Sequence, residues 1–126
     1  MAIQEFGTAL LKQYLTNKLV DKGIKGIEKY TGTWSVSDQS ARINYSVTIT
    51  ANPSNSAEIL LNNFADLGTT AVGLVIGNSV VIDNQSLGSD YSVDGDGHYI
   101  NSGKLEFNFN LNDGIDNEVR VAIFTK

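Results

Sequence analysis

Residues 43–49, Ile-Asn-Tyr-Ser-Val-Thr-Ile, alternate apolar and polar side chains at every step. Successive side chains of a β-strand point to opposite faces of the sheet, so this period of two predicts a strand with one buried face. The strand pattern is followed by Asn52-Pro53-Ser54-Asn55, a cluster of turn-forming residues. Strand and turn patterns of this kind recur along the chain from Gly32 to the last residues.

The recurring pattern predicts eight strands at close spacing. Gly77-Asn78 is typical of a two-residue hairpin turn, and Asn112-Asp113-Gly114 marks another turn. The simplest topology is an antiparallel meander, closed as a lipocalin-like up-and-down barrel or flattened into a sandwich. We expect the following side chains to point inward: Trp34, Ile43, Tyr45, Val47, Ile49, Tyr91, Val93, Leu105, Phe107, Phe109, Val119, Val121 and Ile123.

The bulk of these side chains predicts a filled interior. A barrel of eight short strands is only just wide enough for its own side chains. A filled barrel favours a structural or interaction role. A continuous apolar cavity of about 300 Å³ or more, the usual lower size of ligand pockets, would instead favour a ligand carrier.

The N-terminal part of the chain has a helical pattern. Residues 3–20 are rich in Leu, Gln, Lys and Ala, and Gly23 suits the end of a helix. The predicted helix is amphipathic and carries two apolar stripes, which one small barrel cannot both cover. We therefore expect residues 1–22 to mediate assembly with a second copy or a larger particle; the alternative is a wide helix that caps the barrel. The first stripe contains Ile3, Phe6, Leu10 and Tyr14, and the second contains Leu11, Leu15 and Leu19.

Charge and spacing divide the chain at the same place. Ile24, Ile27 and Tyr30 recur every three residues and predict a tight turn, so residues 1–30 form one unit and residues 31–126 the β-domain. Residues 1–30 have a net charge of +2 and the remainder −7.

Because an acidic body repels phosphate backbones, we predict no nucleic-acid partner. We also predict no membrane span, since no apolar run reaches about 20 residues. We predict no secretory signal, since no basic region precedes a compact apolar run and no small-x-small cleavage site follows.

Residues that would perform catalysis are scarce. The chain has no cysteine and one histidine, His98, which excludes thiol nucleophiles and histidine-based triads. No phosphate-binding glycine loop or Gly-x-Ser-x-Gly motif is present. We predict that the protein is not an enzyme and needs no cofactor.

Asp94-Gly95-Asp96-Gly97, with Asp90 nearby, is the sharpest local cluster. Closely spaced carboxylates can bind calcium, which makes Asp90, Asp94 and Asp96 a weak candidate metal site. The calcium-loop pattern is incomplete, because no glutamate follows at the required distance. The alternative interpretation is a bend in a strand with outward aspartates, and it places His98 on the surface.

Gly32-Thr33-Trp34, after a tight turn and before a β-meander, resembles the Gly-x-Trp opening of lipocalins and related calycin barrels. The resemblance implies that Trp34 plugs the base of the barrel. Residues 31–126 are more closely similar to the lipocalin-like domains of small Bacteroidota surface lipoproteins. That likeness extends through residues 45–50 and is carried further by Asn63-Phe64, Gln85 and Gly95-Asp96-Gly97. The chain departs from those lipoproteins in lacking a signal, a lipid-anchoring cysteine and a clear arginine partner for Trp34.

A surface-type β-domain without an export signal suggests a virion protein, made in the host cytoplasm and displayed on a particle. The leading hypothesis is a non-enzymatic component of a phage virion surface, as a capsid decoration, fibre or tail-associated protein docked through residues 1–22. The alternative is a cellular lipocalin-like binding module for a small apolar ligand or a glycan. That protein would be cytoplasmic, or at the cell surface if a leader precedes the given sequence.

Overall fold

The computed structural model describes residues 26–126, which form a short helical stretch over residues 26–28, eight β-strands and one short 3₁₀ turn. The predicted helix over residues 3–20 lies outside the described residues. The strands are β1 (Gly32–Asp38), β2 (Ile43–Asn52), β3 (Asn55–Asn62), β4 (Thr70–Ile76), β5 (Ser79–Leu87), β6 (Tyr91–Asn101), β7 (Lys104–Asn112) and β8 (Asn117–Thr125), and the 3₁₀ turn is Phe64–Asp66.

The strands close into a barrel. Each strand pairs antiparallel with its neighbour in sequence, and β8 returns to pair with β1, where Asp38 lies opposite Ala122. The barrel confirms the predicted antiparallel meander and excludes the flattened sandwich. Alternate turns of such a meander lie at opposite ends. The β1–β2, β3–β4, β5–β6 and β7–β8 turns form one end, here called the open end. The start of β1 and the end of β8 lie at the other, here called the closed end.

One cluster of inward side chains fills most of the barrel. Phe107 is fully buried whereas its neighbour Asn108 is only half-buried, as the predicted register of β7 requires. The ring centroid of Phe107 lies 4.7 Å from that of Phe124 and 6.0 Å from that of Phe64. Other buried members that the alternation predicted are Trp34, Val47, Ile49, Val93, Leu105 and Phe109.

The prediction for β8 is wrong by one residue. Arg120, Ala122 and Phe124 are buried, whereas Val119 is 69% exposed. Val121 and Ile123, also predicted inward, alternate with these buried residues and lie on the outer face. The strand has apolar residues on both faces, so alternation alone could not choose between them. Pairing with β7 sets Ala122 opposite Phe107, where a small side chain leaves room for the ring.

The inward prediction also fails in part at the open end. Ile43 is 36% exposed, and Tyr45 and Tyr91 are half-buried. All three lie near the turns at this end, where the barrel wall no longer encloses its side chains on every side. Their exposure shows that the aromatic packing does not extend to the open end.

The closed end is covered by the segment that precedes β1. Residues 26–28 are helical, and the N–H of Tyr30 donates to the carbonyl of Ile27. Trp34 is fully buried, and its Nε1 donates to the carbonyl of Tyr30 across 2.8 Å. Lys126 Nζ lies 4.6 Å from the centroid of the Trp34 ring and donates to the Thr31 carbonyl. A lysine from the end of the chain therefore lies over the tryptophan for which no arginine partner was predicted.

Gly32 allows that lysine to reach the tryptophan. Its φ of +122° is a conformation that side-chain-bearing residues rarely adopt. A Cβ at Gly32 would lie 2.9 Å from Lys126 Nζ. The backbone conformation therefore favours glycine as the first residue of the Gly-Thr-Trp motif, and a larger residue would also displace the end of the Lys126 side chain.

Candidate functional site

A cavity of about 350 Å³ lies at the open end of the barrel. Its wall combines apolar and charged side chains from three of the turns at this end and from the adjoining strand ends. The predicted filled interior therefore describes the closed end and the middle of the barrel but not its open end. The lining residues are Ala41, Ile43, Ala65, Asp66, Leu67, Tyr91, Leu111, Asp113, Asp116, Glu118 and Arg120.

Arg120 is the one basic side chain of this wall, and it is nearly buried. Its Nε donates to Asp38 Oδ2 and its Nη1 donates to Glu118 Oε2, each across 2.8 Å. Burial by itself lowers the pKa of Arg120, but the hydrogen bonds to the two carboxylates outweigh it and leave the pKa raised. The guanidinium therefore carries a permanent positive charge, which the carboxylates of Asp38 and Glu118 largely neutralise.

Asp38 connects this ion pair to the β1–β2 turn. The residue is 1% exposed, and its Oδ1 accepts hydrogen bonds from the N–H groups of Ser40 and Ala41, at 3.0 and 2.8 Å. Both carboxylate oxygens thus have donors, as a buried carboxylate requires. The arrangement fixes the turn that carries Ala41 at the cavity wall.

Tyr45 contributes a buried hydroxyl near this pair. Its OH has no hydrogen-bond partner among the described residues and is shielded from solvent. Burial raises the pKa of Tyr45, and the nearby charge of Asp38 raises it further. The phenol is therefore neutral and keeps an unused donor and acceptor at the open end of the barrel.

Acidic side chains surround the cavity mouth. Asp66, Asp113, Asp116 and Glu118 all line it, against Arg120 alone. Hydrogen bonds from the backbone N–H groups of Asp116 and Ile115 lower the pKa of Asp113, so its carboxylate stays charged at neutral pH. The cavity consequently has a negative mouth and a partly apolar wall.

The β3–β4 turn places Asp66 by an unusual backbone conformation. Asn63, Ala65 and Asp66 have positive φ values of 70°, 57° and 62°. The Asn63 side chain fixes the turn, because its Nδ2 donates to the Ser46 carbonyl and its Oδ1 accepts from the Gly68 N–H. Left-handed residues of this kind persist where surrounding bonds hold them and are common in ligand-binding loops.

The sequence-predicted candidates lie elsewhere. Asp90, Asp94 and Asp96 are exposed, and Asp96 Oδ2 lies 3.0 Å from His98 Nε2. Across residues 26–126, no group of three or more His, Cys, Asp or Glu side chains is placed to hold a metal ion. The calcium interpretation therefore gains no support from this geometry. The predicted assembly residues lie outside the described residues: Ile3, Phe6, Leu10, Leu11, Tyr14, Leu15 and Leu19.

Arg120, which lines this cavity, and its partner Asp38 were not predicted as site residues from the sequence. Asp38 lies two and four residues after Val36 and Trp34, so the alternation along β1 indicates that its side chain points inward as theirs do. Arg120 was assigned to the outer face because the register of β8 was misjudged. Tyr45 was predicted inward but not as a residue with a buried polar group, and it is not among the residues that line this cavity.

A second depression, of about 410 Å³, lies against β1 and β2. It is more open than the cavity and has no charged side chain in its wall. Its polar lining residues are Ser35, Ser37, Asn44, Tyr45, Ser46 and Thr125. The open-end cavity, which joins buried charge to apolar surface, is the better candidate site.

Comparisons with known proteins agree with the barrel. No family model matches the chain, and no curated protein matches it. The chain is similar to the solved structure described as EF1p2_mFAP2b bound to DFHBI, with a TM-score of 0.52 and 12% sequence identity over 82% of this chain and 98% of that chain. At this identity the likeness shows the fold alone, a calycin-like barrel of eight strands. In the part of the chain that the structure describes, helices long and apolar enough to span a bilayer are absent.

Proposed function

We propose that the protein is a non-enzymatic binding module that holds a small cationic amphiphilic molecule in its open-end cavity. The observation that carries this proposal is a cavity of about 350 Å³ whose wall joins apolar Ile43, Leu67 and Leu111 to acidic Asp66 and Asp116. Ligand pockets commonly combine apolar walls with a few polar groups and begin at about 300 Å³. The size and the lining both suit one small molecule.

The charge of the mouth selects the polar end of this ligand. Arg120 is already paired with Asp38 and Glu118. No basic side chain of residues 26–126 forms an ion pair with Asp66, Asp113 or Asp116. An ammonium group would supply the missing charge, whereas a carboxylate ligand would meet like charges. The apolar part of the molecule would contact Leu67, Leu111 and the Tyr91 ring.

The structural likeness supports this proposal by analogy only. The similar barrel was solved with DFHBI bound, which shows that a protein of this fold can hold such a molecule. A shared fold does not transfer a ligand, so the chemistry here rests on the side chains of this cavity.

A matched pair of ligands tests the proposal. Titration with 2-naphthylethylamine should shift the backbone amide NMR signals of Leu67, Tyr91 and Leu111, and 2-naphthylacetate should not. Salt should weaken the binding, because ions screen the mouth carboxylates. Equal binding of both molecules, or shifts confined to other parts of the barrel, would contradict the proposal.

Two variants localise the binding. Ala41→Trp places a bulky ring at an exposed position in the cavity wall and should abolish the shifts caused by the amine. Val119→Trp places the same ring on the exposed outer face of β8 and should leave them unchanged. An Ala41→Trp protein that still binds with wild-type affinity would exclude the cavity as the site.

A second proposal concerns assembly and rests on residues 1–22. Their two apolar stripes support docking to a second copy or to a particle, and the composition supports a surface component of a phage virion. A related cell-surface module of the Bacteroidota lipoprotein type is the alternative. Sedimentation of the full chain should give an assembly that is lost when residues 1–22 are removed. A monomeric full chain at all concentrations would contradict self-assembly.

A further inference from the structure

The outer face of β3, β4 and β5 carries an apolar surface. Along these strands, Ala57, Ile59, Leu61, Ala71, Val75, Val80 and Ile82 point inward and are buried. The alternating side chains therefore point outward, and five of them are aliphatic. Ile76 is 52% exposed and Val81 is 37% exposed. The outer apolar patch, as we call it, consists of Leu60, Val72, Leu74, Ile76 and Val81.

The register makes this patch continuous. Leu60 lies opposite Val72 across β3 and β4, and Leu74 lies opposite Val81 across β4 and β5. Such cross-strand neighbours have Cβ atoms about 5 Å apart and form one surface. The outer faces of β1 and β2 are different, because Ser, Thr and Asn occupy most of their outward positions. A contiguous apolar surface that spans three strands marks a contact site.

The N-terminal segment enters the barrel beside this patch. Lys29 Nζ donates to Asn78 Oδ1, and the Tyr30 hydroxyl donates to the Gly77 carbonyl. Gly77 and Asn78 form the turn between β4 and β5, and Ile76 immediately precedes it. Lys29 and Tyr30 therefore contact the closed-end edge of the patch.

The predicted N-terminal helix matches the outer apolar patch in length and in charge. A helix over residues 3–20 would be about 27 Å long, and the seven residues of β4 span about 23 Å. Residues 1–22 have a net charge of +1, from three lysines against Glu5 and Asp21. Glu58 lies opposite Leu74 and Asp96 lies opposite Val81, so carboxylates border the patch on both sides.

We propose that residues 1–22 pack against the outer apolar patch of their own barrel through one of their two apolar stripes. The other stripe then faces away from the β-domain and is available for assembly. The outer face of β8 is a poorer match, because its apolar Val119, Val121 and Ile123 form a stripe only one strand wide. The outward positions of the neighbouring strands β1 and β7 are polar. This docking concerns the outside of the barrel and is independent of ligand binding in the cavity.

A spin label locates the segment directly. The chain has no cysteine, so Lys12→Cys gives a single attachment site for a nitroxide. In the full-length ¹⁵N-labelled protein, the label should broaden the amide signals of residues 72–76 and 79–82 and leave residues 119–123 sharp. Broadening of β8 instead, or of no strand, would overturn the proposal.

A mixed sample distinguishes docking of residues 1–22 on their own barrel from docking on the barrel of a second copy. Spin-labelled ¹⁴N protein is combined with unlabelled ¹⁵N protein at the same total concentration. The proposal expects the signals of the patch to stay sharp in this mixture. Broadening of the patch that is as strong in the mixture as within one chain would show that a second copy occupies it, and would overturn the proposal.

Proteolysis gives a second measurement with matched variants. Ile76→Glu and Val81→Glu add a charge to the patch at exposed positions, and Val119→Glu does the same on β8. Trypsin should cut after Lys12 and Lys18 roughly tenfold faster in the two patch variants, because cleavage follows the population of the released segment. The β8 variant should be cut at the wild-type rate. Unchanged Trp34 fluorescence would show that each barrel stays folded, and equal cleavage of all four proteins would contradict the docking.

Discussion

Arg120 and Asp38 lie 82 positions apart in sequence and form an ion pair of 2.8 Å between Nε and Oδ2. The side chains are 9% and 0% exposed, respectively. Asp38 ends β1 and Arg120 belongs to β8, the two strands whose pairing closes the barrel. The pair therefore holds the open-end part of the closing seam and shapes the cavity wall at the same time.

Removal of Asp38 should be far more harmful than removal of Glu118. Asp38→Ala leaves the Arg120 guanidinium buried without its closest partner, which costs about 3–5 kcal/mol of unfolding free energy. Glu118→Ala removes a carboxylate whose side chain is 61% exposed, and such pairs contribute about 0–1 kcal/mol. Urea denaturation of the two variants measures the difference. Equal losses would show that burial does not control the strength of this pair.

The barrel strands could be predicted because the pattern that identifies each strand lies within a short stretch of sequence. Strand alternation in residues 43–49 and 104–110, with turn residues between, identifies the strands without reference to distant contacts. Register failed only in β8, where Val119, Val121 and Ile123 compete with Ala122 and Phe124 for the interior. The choice depends on what lies opposite, namely Phe107 on β7 and Asp38 on β1.

The cavity could not be predicted by the same reasoning. Its wall comes from three turns and several strand ends that are separated in sequence. Neither its volume nor the meeting of Asp38 with Arg120 follows from local periodicity. A buried charge is also the opposite of what alternation of apolar residues suggests. Only closure of the barrel brings these residues together.

Lys126 should stabilise the closed end through its contact with Trp34. Lys126→Met keeps an apolar chain of similar length but removes the cation over the ring and the hydrogen bond to the Thr31 carbonyl. We expect a loss of about 1 kcal/mol, since cation–π contacts of this kind contribute about 0.5–1 kcal/mol. Lys104→Met, at an exposed position of β7, is the control and should change stability little. A Lys126→Met protein as stable as wild type would show that the contact does not stabilise the fold.

Gly97 should not tolerate even a methyl group. A Cβ at this position would overlap the Phe107 ring and lie 2.6 Å from its Cδ2. That ring is fully buried against Phe64 and Phe124, so it has no free space to move into. Gly97→Ala should destabilise the barrel by about 1–3 kcal/mol, the usual cost of overpacking a core.

Gly103→Ala is the matched control for Gly97→Ala. The nearest atom to a Cβ at Gly103 is Asn101 Oδ1 at 3.7 Å, which is an ordinary contact. Thermal unfolding of the two variants should therefore show a large drop in midpoint for Gly97→Ala only. Similar midpoints would mean that the sheet relaxes around the added methyl group.

Tyr30 should make the protein sensitive to alkaline pH. Burial, and to a lesser degree the neighbouring Tyr99, raises the pKa of Tyr30 from its usual value of 10.0 to about 12. Below pH 10 the phenol is neutral in both the folded and the unfolded chain, so its contribution is complete. As the pH rises from 10 to 12, the unfolded chain ionises first and stability is lost.

Tyr30→Phe tests this contribution of Tyr30. The variant loses the hydrogen bond from the hydroxyl to the Gly77 carbonyl, so at pH 7 it should be less stable by about 1 kcal/mol. It has no phenol to ionise at this position, so the gap to wild type should narrow as the pH rises from 10 to 12. Tyr45 is present in both proteins, and its raised pKa affects both curves alike. Urea denaturation between pH 7 and 12 provides the two curves, and a gap that stays constant over this range would show that ionisation of Tyr30 is not linked to folding.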